Sequence, residues 1–100
     1  MSYIPDRWVV IEISTPEETI KKVLATWYGD FTNGERWRVS SGITEVEDND
    51  DHYLFHNHSG STYQCSKKSQ GMGSYTSTIY ESWLKEIPEG VSITILEEYN

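Results

Sequence analysis

The sequence predicts an α+β domain: a mostly antiparallel β-meander of six or seven strands with one C-terminal amphipathic helix packed on the sheet. Three observations predict it. Apolar and polar residues alternate with period two through most of the first 66 residues, as half-buried strands require. Turn pairs such as Asn33-Gly34 and Ser59-Gly60 punctuate those runs. From Tyr75 the period changes to 3.6. One hundred residues make a single domain, 1–100, whose small core favours association between copies.

The first strand spans Arg7 to Ser14, with Val9, Ile11 and Ile13 on one face and Trp8, Val10 and Glu12 on the other. Trp8 on that mixed face suits a subunit interface. Thr15-Pro16-Glu17-Glu18 is a polar turn. In the second strand Val23, Ala25 and Trp27 share one face, and Leu24, Thr26 and Tyr28 share the other. The Asn33-Gly34 pair reverses the chain into Glu35–Ser40, where Trp37 and Val39 oppose Arg36, Arg38 and Ser40. Ser41-Gly42 permits a bulge or bend before Ile43–Glu47. An acidic turn, Glu47 to Asp51, leads to His52–His58, and Ser59-Gly60 leads to Ser61–Ser66. After a loop, Lys67–Gly73, the stripes Tyr75/Ile79/Trp83 and Tyr80/Leu84/Ile87 define a helix of about ten residues, with Tyr75, Ile79 and Trp83 as its core face. Thr78 and Glu81 have capping-box spacing, with Ser74 and Thr76 as rival caps. Pro88 and Gly90 stop the helix, and Val91–Ile95 forms a last strand beside the first.

Composition excludes several functions. Sixteen Asp and Glu stand against eight Lys and Arg, a net charge of −8. That sign repels phosphate backbones and anionic membranes, which argues against direct nucleic-acid binding. No apolar run approaches the roughly twenty residues of a membrane span. Cys65 is alone, so no intrachain disulfide forms, and Met1–Arg7 lacks the apolar segment of a signal peptide. A soluble, intracellular protein is expected.

No catalytic signature is present, and the expectation is a non-enzyme without cofactors. His56 and His58 lie two residues apart on a strand and would share a metal ion only with further ligands from Cys65 or Asp50. As an acid or base, either would need an orienting carboxylate. The Glu47–Asp51 run lacks the glycine and terminal glutamate of a calcium loop. No metal site is therefore assigned. Arg36 and Arg38 are the better pair: guanidinium suits bidentate phosphate recognition and stacking on rings. Trp27 or Tyr28 beside them would complete an aromatic and arginine wall fitted to a nucleotide. The predicted ligand-binding set is Trp27, Tyr28, Arg36, Arg38, Ser40, His56, His58, Tyr63 and Lys67. In it Arg36, Arg38 and Lys67 hold phosphates, Trp27, Tyr28 and Tyr63 wall the base, and the histidines supply hydrogen bonds.

Trp8-Val9-Val10-Ile11, Lys22-Val23-Leu24-Ala25 with Trp27 and Gly29, Trp37-Arg38 with Ser40-Ser41-Gly42-Ile43-Thr44, and Ser59-Gly60-Ser61 with Tyr63 and Cys65 form a connected pattern. The pattern resembles a group of short bacteriophage-encoded proteins, over roughly residues 6 to 73. That group often carries Gly-Gly-Tyr after the second strand and Asp-Ser-Trp before the third. Here Gly29-Asp30-Phe31 and Glu35-Arg36-Trp37 stand in those places. The resemblance implies a counter-defence protein in the cytoplasm of an infected bacterial host. Such a protein would be a homo-oligomer that sequesters a nucleotide immune signal, a cyclic dinucleotide or an ADP-ribose derivative. The alternative is an acidic inhibitor that occupies a basic or nucleic-acid-binding site on a host defence enzyme.

Overall fold

The computed structural model describes residues 1–29 and 34–99, so Asn33 of the predicted Asn33-Gly34 turn lies outside the described residues. Eight strands and one helix follow in order: β1 (Ser2–Tyr3), β2 (Arg7–Ser14), β3 (Thr19–Tyr28), β4 (Glu35–Val39), β5 (Ile43–Asp48), β6 (His52–Asn57), β7 (Thr62–Ser66), α1 (Ser74–Glu86) and β8 (Ser92–Leu96). The α+β class and antiparallel pairing hold, with two corrections. The strands number eight, because the N-terminal arm adds the two-residue β1. The helix is not the C-terminal element, because β8 follows it and pairs antiparallel with β2.

The strands form two four-stranded sheets, β1-β7-β6-β5 and β4-β3-β2-β8, with only β1–β7 parallel. Two sheets form because β2 and β3 are apolar on both faces. Trp8, Val10, Val23 and Ala25 pack against Phe55, Tyr63 and Cys65 of the other sheet. Val9, Ile11 and Leu24 pack on the opposite side with Tyr80 and Trp83 of the helix. A single layer would leave one of these faces in water, at about 25 cal/mol for each Å² of apolar surface. Trp8 is fully buried between the sheets rather than exposed for an interface, and its indole Nε1 donates to the Ser66 carbonyl at 2.7 Å. Tyr99 closes the same core, with ring centroids 5.5 Å from Trp8 and 5.2 Å from Tyr53.

The chain crosses from β4 in one sheet to β5 in the other at Ser40-Ser41-Gly42. There the Ser40 hydroxyl accepts from Val23 N–H at 2.9 Å, standing in for a strand carbonyl, and donates to Ser41 O. His58 N–H then donates to Gly42 O at 2.8 Å, seating β5 beside β6. At the start of β5 the register shifts between Ile43 and Glu45. This bulge lets Ile43 and Val46, three residues apart, both pack inward. It turns Glu45 and Glu47 to the outer face.

Helix α1 starts at Gly73, which has no side chain to cap it. Neither Thr78 nor Ser74 does so. The cap comes instead from Glu35 on β4, whose Oε2 accepts from Thr76 N–H at 2.6 Å and Thr76 Oγ1 at 2.7 Å. The buried Thr26 hydroxyl donates to Thr76 Oγ1 at 2.7 Å, extending the relay into the sheet. Burial pushes the Glu35 carboxyl up, but the hydrogen bonds from Thr76 and from the Tyr75 N–H outweigh it, so the group ionises below its ordinary range. Thr76 and Tyr80 are the buried residues of this helix, while Tyr75 is half exposed, so the face turned to the sheet is rotated from the predicted stripe. Among the described residues no helix is long and apolar enough to cross a membrane.

Candidate functional site: an arginine and aromatic cleft at the seam of the two sheets

Strands β3 and β4 pair so that Trp27 faces Arg36 and Ala25 faces Arg38. Cross-strand partners share a face, so Arg36, Arg38 and Trp27 all project from the side of their sheet that meets the other sheet. β1 supplies what completes them. Its parallel pairing with β7 sets Tyr3 beside Tyr63, and the two rings stack with centroids 4.8 Å apart. Trp27 meets Tyr3 edge-on at 6.1 Å. The Arg38 guanidinium carbon lies 4.8 Å from the Tyr3 ring centroid, a cation–π distance. The Trp27 indole Nε1 is committed to Ile4 O at 3.0 Å, which fixes the ring as a wall.

Two adjoining hollows share Tyr3 and Arg38. One, of about 290 Å³, is lined by Tyr3, Trp27, Arg36, Trp37 and Arg38. The other, of about 250 Å³, adds the hydroxyl-rich turns Ser40-Ser41 and Ser59-Gly60-Ser61. Through Ser41 it adjoins a third, of about 490 Å³, where Lys21, Lys22 and His58 meet Gly42 and Ile43. The charge distribution is uneven. Arg36, Arg38, Lys21 and Lys22 are four of the chain's eight Lys and Arg, and among the described residues none of its sixteen Asp and Glu lines these three hollows. In a chain of net charge −8 this seam is a local concentration of positive charge.

Burial raises the Tyr63 hydroxyl above its ordinary range, although the neighbouring Arg38 pulls the other way. Tyr63 therefore stays protonated at neutral pH and offers a hydrogen bond rather than a base. Among the described residues no carboxylate or thiol faces the two hollows around Tyr3. The groups they do present are ones able to recognise a ligand: guanidinium groups, aromatic rings and hydroxyls.

The structure gathers Trp27, Arg36, Arg38, Ser40 and Tyr63 of the predicted set, and it separates the others. Tyr28 pairs with Glu35 on the opposite face and is half exposed, because one step along a strand reverses the side chain. Lys67 lies past the far end of β7, four residues or about 13 Å of strand from Tyr63. There its Nζ bonds Asp48 Oδ1 at 2.6 Å and covers the Tyr53 ring. His56 is on the outer face with Glu47 and Thr62, whereas His58 leaves the strand and lines the third hollow. The two histidines do not act as a pair, and Cys65 is buried in the inter-sheet core, out of reach as their ligand. Sequence reasoning missed Tyr3, because a two-residue strand has no periodicity to detect. Beyond Ser40 it also missed the serine turns, Ser41, Ser59 and Ser61, whose signal was the repeated Ser/Gly composition of residues 40–42 and 59–61. Comparisons with protein-family models, with curated proteins and with solved structures return no match.

Proposed function

We propose that the protein is a non-enzymatic binding protein that captures and sequesters a nucleotide-type ligand at the sheet seam. A cyclic dinucleotide or an ADP-ribose derivative fits the site best. The observation that carries this reading is the placement of Arg38 over Tyr3, with Trp27 and Arg36 in the same cleft and, among the described residues, no carboxylate along it. In this reading a base lies against the exposed edge of the Tyr3–Trp27 wall and phosphates meet Arg36 and Arg38. The serine hydroxyls of both turns bond the sugar, and Lys22 with His58 receives a second anionic group. A ligand with two phosphates and two rings uses more of the seam than a mononucleotide does. The exposed rings of Tyr28, Trp37 and Tyr75 supply apolar area for association between copies. Together with the resemblance to short phage proteins, this reading supports a proposed role in counter-defence in an infected bacterium.

A thermal-shift panel of cyclic dinucleotides, ADP-ribose derivatives and mononucleotides tests the reading, with the bound compound recovered by mass spectrometry. Ligand at a hundred times its Kd adds about 2.7 kcal/mol to the folded state. For a domain of this size that moves Tm by about 10 °C or more. A dinucleotide that shifts Tm this far and is recovered intact supports sequestration. A cleaved product overturns the non-enzymatic assignment. No shift across the panel overturns the nucleotide reading and leaves the acidic-inhibitor alternative, whose partner binding weakens steeply with salt.

A further inference from the structure

We propose that Glu45, Glu47 and His56 form a site for one divalent first-row transition-metal ion on the outer face of β5 and β6, the opposite face of that sheet from the cleft. Glu45 and His56 are direct cross-strand partners, and Glu47 is two residues along the same strand, hence on the same face. One donor atom from each lies within 4.8 Å of the other two. An ion at about 2.1 Å from three tetrahedral donors needs them about 3.4 Å apart, a closure that glutamate side-chain rotation supplies.

Two further features distinguish this cluster from a solvated acidic face. The imidazole is oriented from a third strand: Thr62 Oγ1 of β7 meets His56 Nδ1 at 3.1 Å, leaving Nε2 turned to Glu47. Holding the distal nitrogen so that the other points at the ion is the usual arrangement around metal-bound histidine. The second feature is negative charge with no Lys or Arg partner, His56 being the one basic group in contact with Glu47 among the described residues. Glu45 and Glu47 stand side by side in a chain of net −8, and among the described residues no Lys or Arg pairs with either. Nearby Lys67 is committed to Asp48.

The β5 bulge is what creates the face. Unbroken alternation from Ile43 would turn Glu45 and Glu47 inward and Val46 outward. Two carboxylates with one imidazole suit zinc, cobalt, nickel or manganese rather than calcium or magnesium, which take all-oxygen shells. Three protein ligands leave the remaining positions to water.

Calorimetric titration of zinc chloride into the chelator-stripped full chain tests the proposal, with magnesium chloride as the contrast and circular dichroism to confirm that each variant folds. The expected result is one equivalent of zinc and no magnesium heat. Affinity falls at least tenfold in His56→Ala and in Glu45→Gln/Glu47→Gln, falls about tenfold in Thr62→Val, and is unchanged in His52→Ala. Cobalt bound to the wild type gives a d–d absorption band that His56→Ala abolishes. Absence of zinc binding overturns the proposal. So does full affinity in His56→Ala, or a loss confined to His52→Ala, which would place the ion at the Asp51–His52 pair instead.

Discussion

Removing the Glu35 carboxylate tests whether a strand side chain, rather than a local cap, holds the start of the helix. In Glu35→Ala, Thr76 N–H and Thr76 Oγ1 lose their shared acceptor, at 2.6 and 2.7 Å. Each hydrogen bond to a charged group contributes about 1.5–3 kcal/mol when sheltered. Glu35 is itself only partly buried, so water replaces part of that. A negative charge at a helix N-terminus adds about 0.3–1 kcal/mol. The expected loss is about 2 kcal/mol, which lowers Tm by about 8 to 16 °C. Glu35→Gln keeps one acceptor oxygen and loses about half as much. The sign of the pH dependence follows from the lowered ionisation of Glu35. A carboxyl depressed in the folded state stabilises it above its unfolded value of 4.5 and loses that contribution as pH falls through the folded value. Urea denaturation at pH 7 therefore separates wild type from Glu35→Ala, and at pH 3 the gap narrows. A loss below about 0.5 kcal/mol at pH 7, or a gap of the same size at pH 3, refutes the reasoning.

Gly73 is required by space and not by backbone freedom, since its φ of −68° suits any residue. A Cβ there meets the Glu35 carboxylate. Gly73→Ala should cost about 1–2 kcal/mol in urea and much less in the Glu35→Ala background, and additivity of the two losses would contradict the contact. Trp8→Ala should cost about 3–5 kcal/mol, since it empties the space between the sheets and orphans the Ser66 carbonyl; a loss under 1 kcal/mol in the same assay would refute its place at the centre of the core. Burial raises the Cys65 thiol well above its ordinary range. The native protein should therefore resist iodoacetamide at pH 8 and react stoichiometrically once unfolded; rapid native labelling, read by mass spectrometry, would contradict the burial.

Local signals made seven of the eight strands and the helix legible. The pairing of the last strand with the first was legible too, because a strand apolar on both faces belongs inside a sheet, with both of its edges paired. The division into two sheets was harder to see. It depends on which neighbour covers which face, and the exit point is a serine hydroxyl imitating a carbonyl at Ser40, which has no periodic signature. The bulge at Thr44 left a faint one, Ile43 and Val46 spaced by three where a strand needs two. In the cleft, Arg36, Arg38 and Trp27 followed from alternation and cross-strand pairing. By the same rule Tyr28 lies outside the cleft, since it belongs to the other face. Lys67 lies away from the cleft because strand length separates it from Arg38, a distance that residue type does not report. Tyr3 came from a segment too short for any pattern, although it is the ring on which Arg38 lies. Glu35 and Thr76, 41 residues apart, show the same limit: a cap supplied from a distant strand looks in the sequence like an uncapped helix.

The most direct test of the account is calorimetric titration of the most stabilising dinucleotide or ADP-ribose compound into wild type, Arg38→Ala and Lys67→Ala. Arg38 lies over Tyr3 in the cleft, while Lys67 lies at the far end of the sheet. The account predicts a loss of affinity of about a hundredfold for Arg38→Ala, from a sheltered charge-assisted bond worth up to 3 kcal/mol. It predicts a change of less than twofold for Lys67→Ala, with both variants folded. Undiminished affinity in Arg38→Ala, or a greater loss in Lys67→Ala, would contradict it.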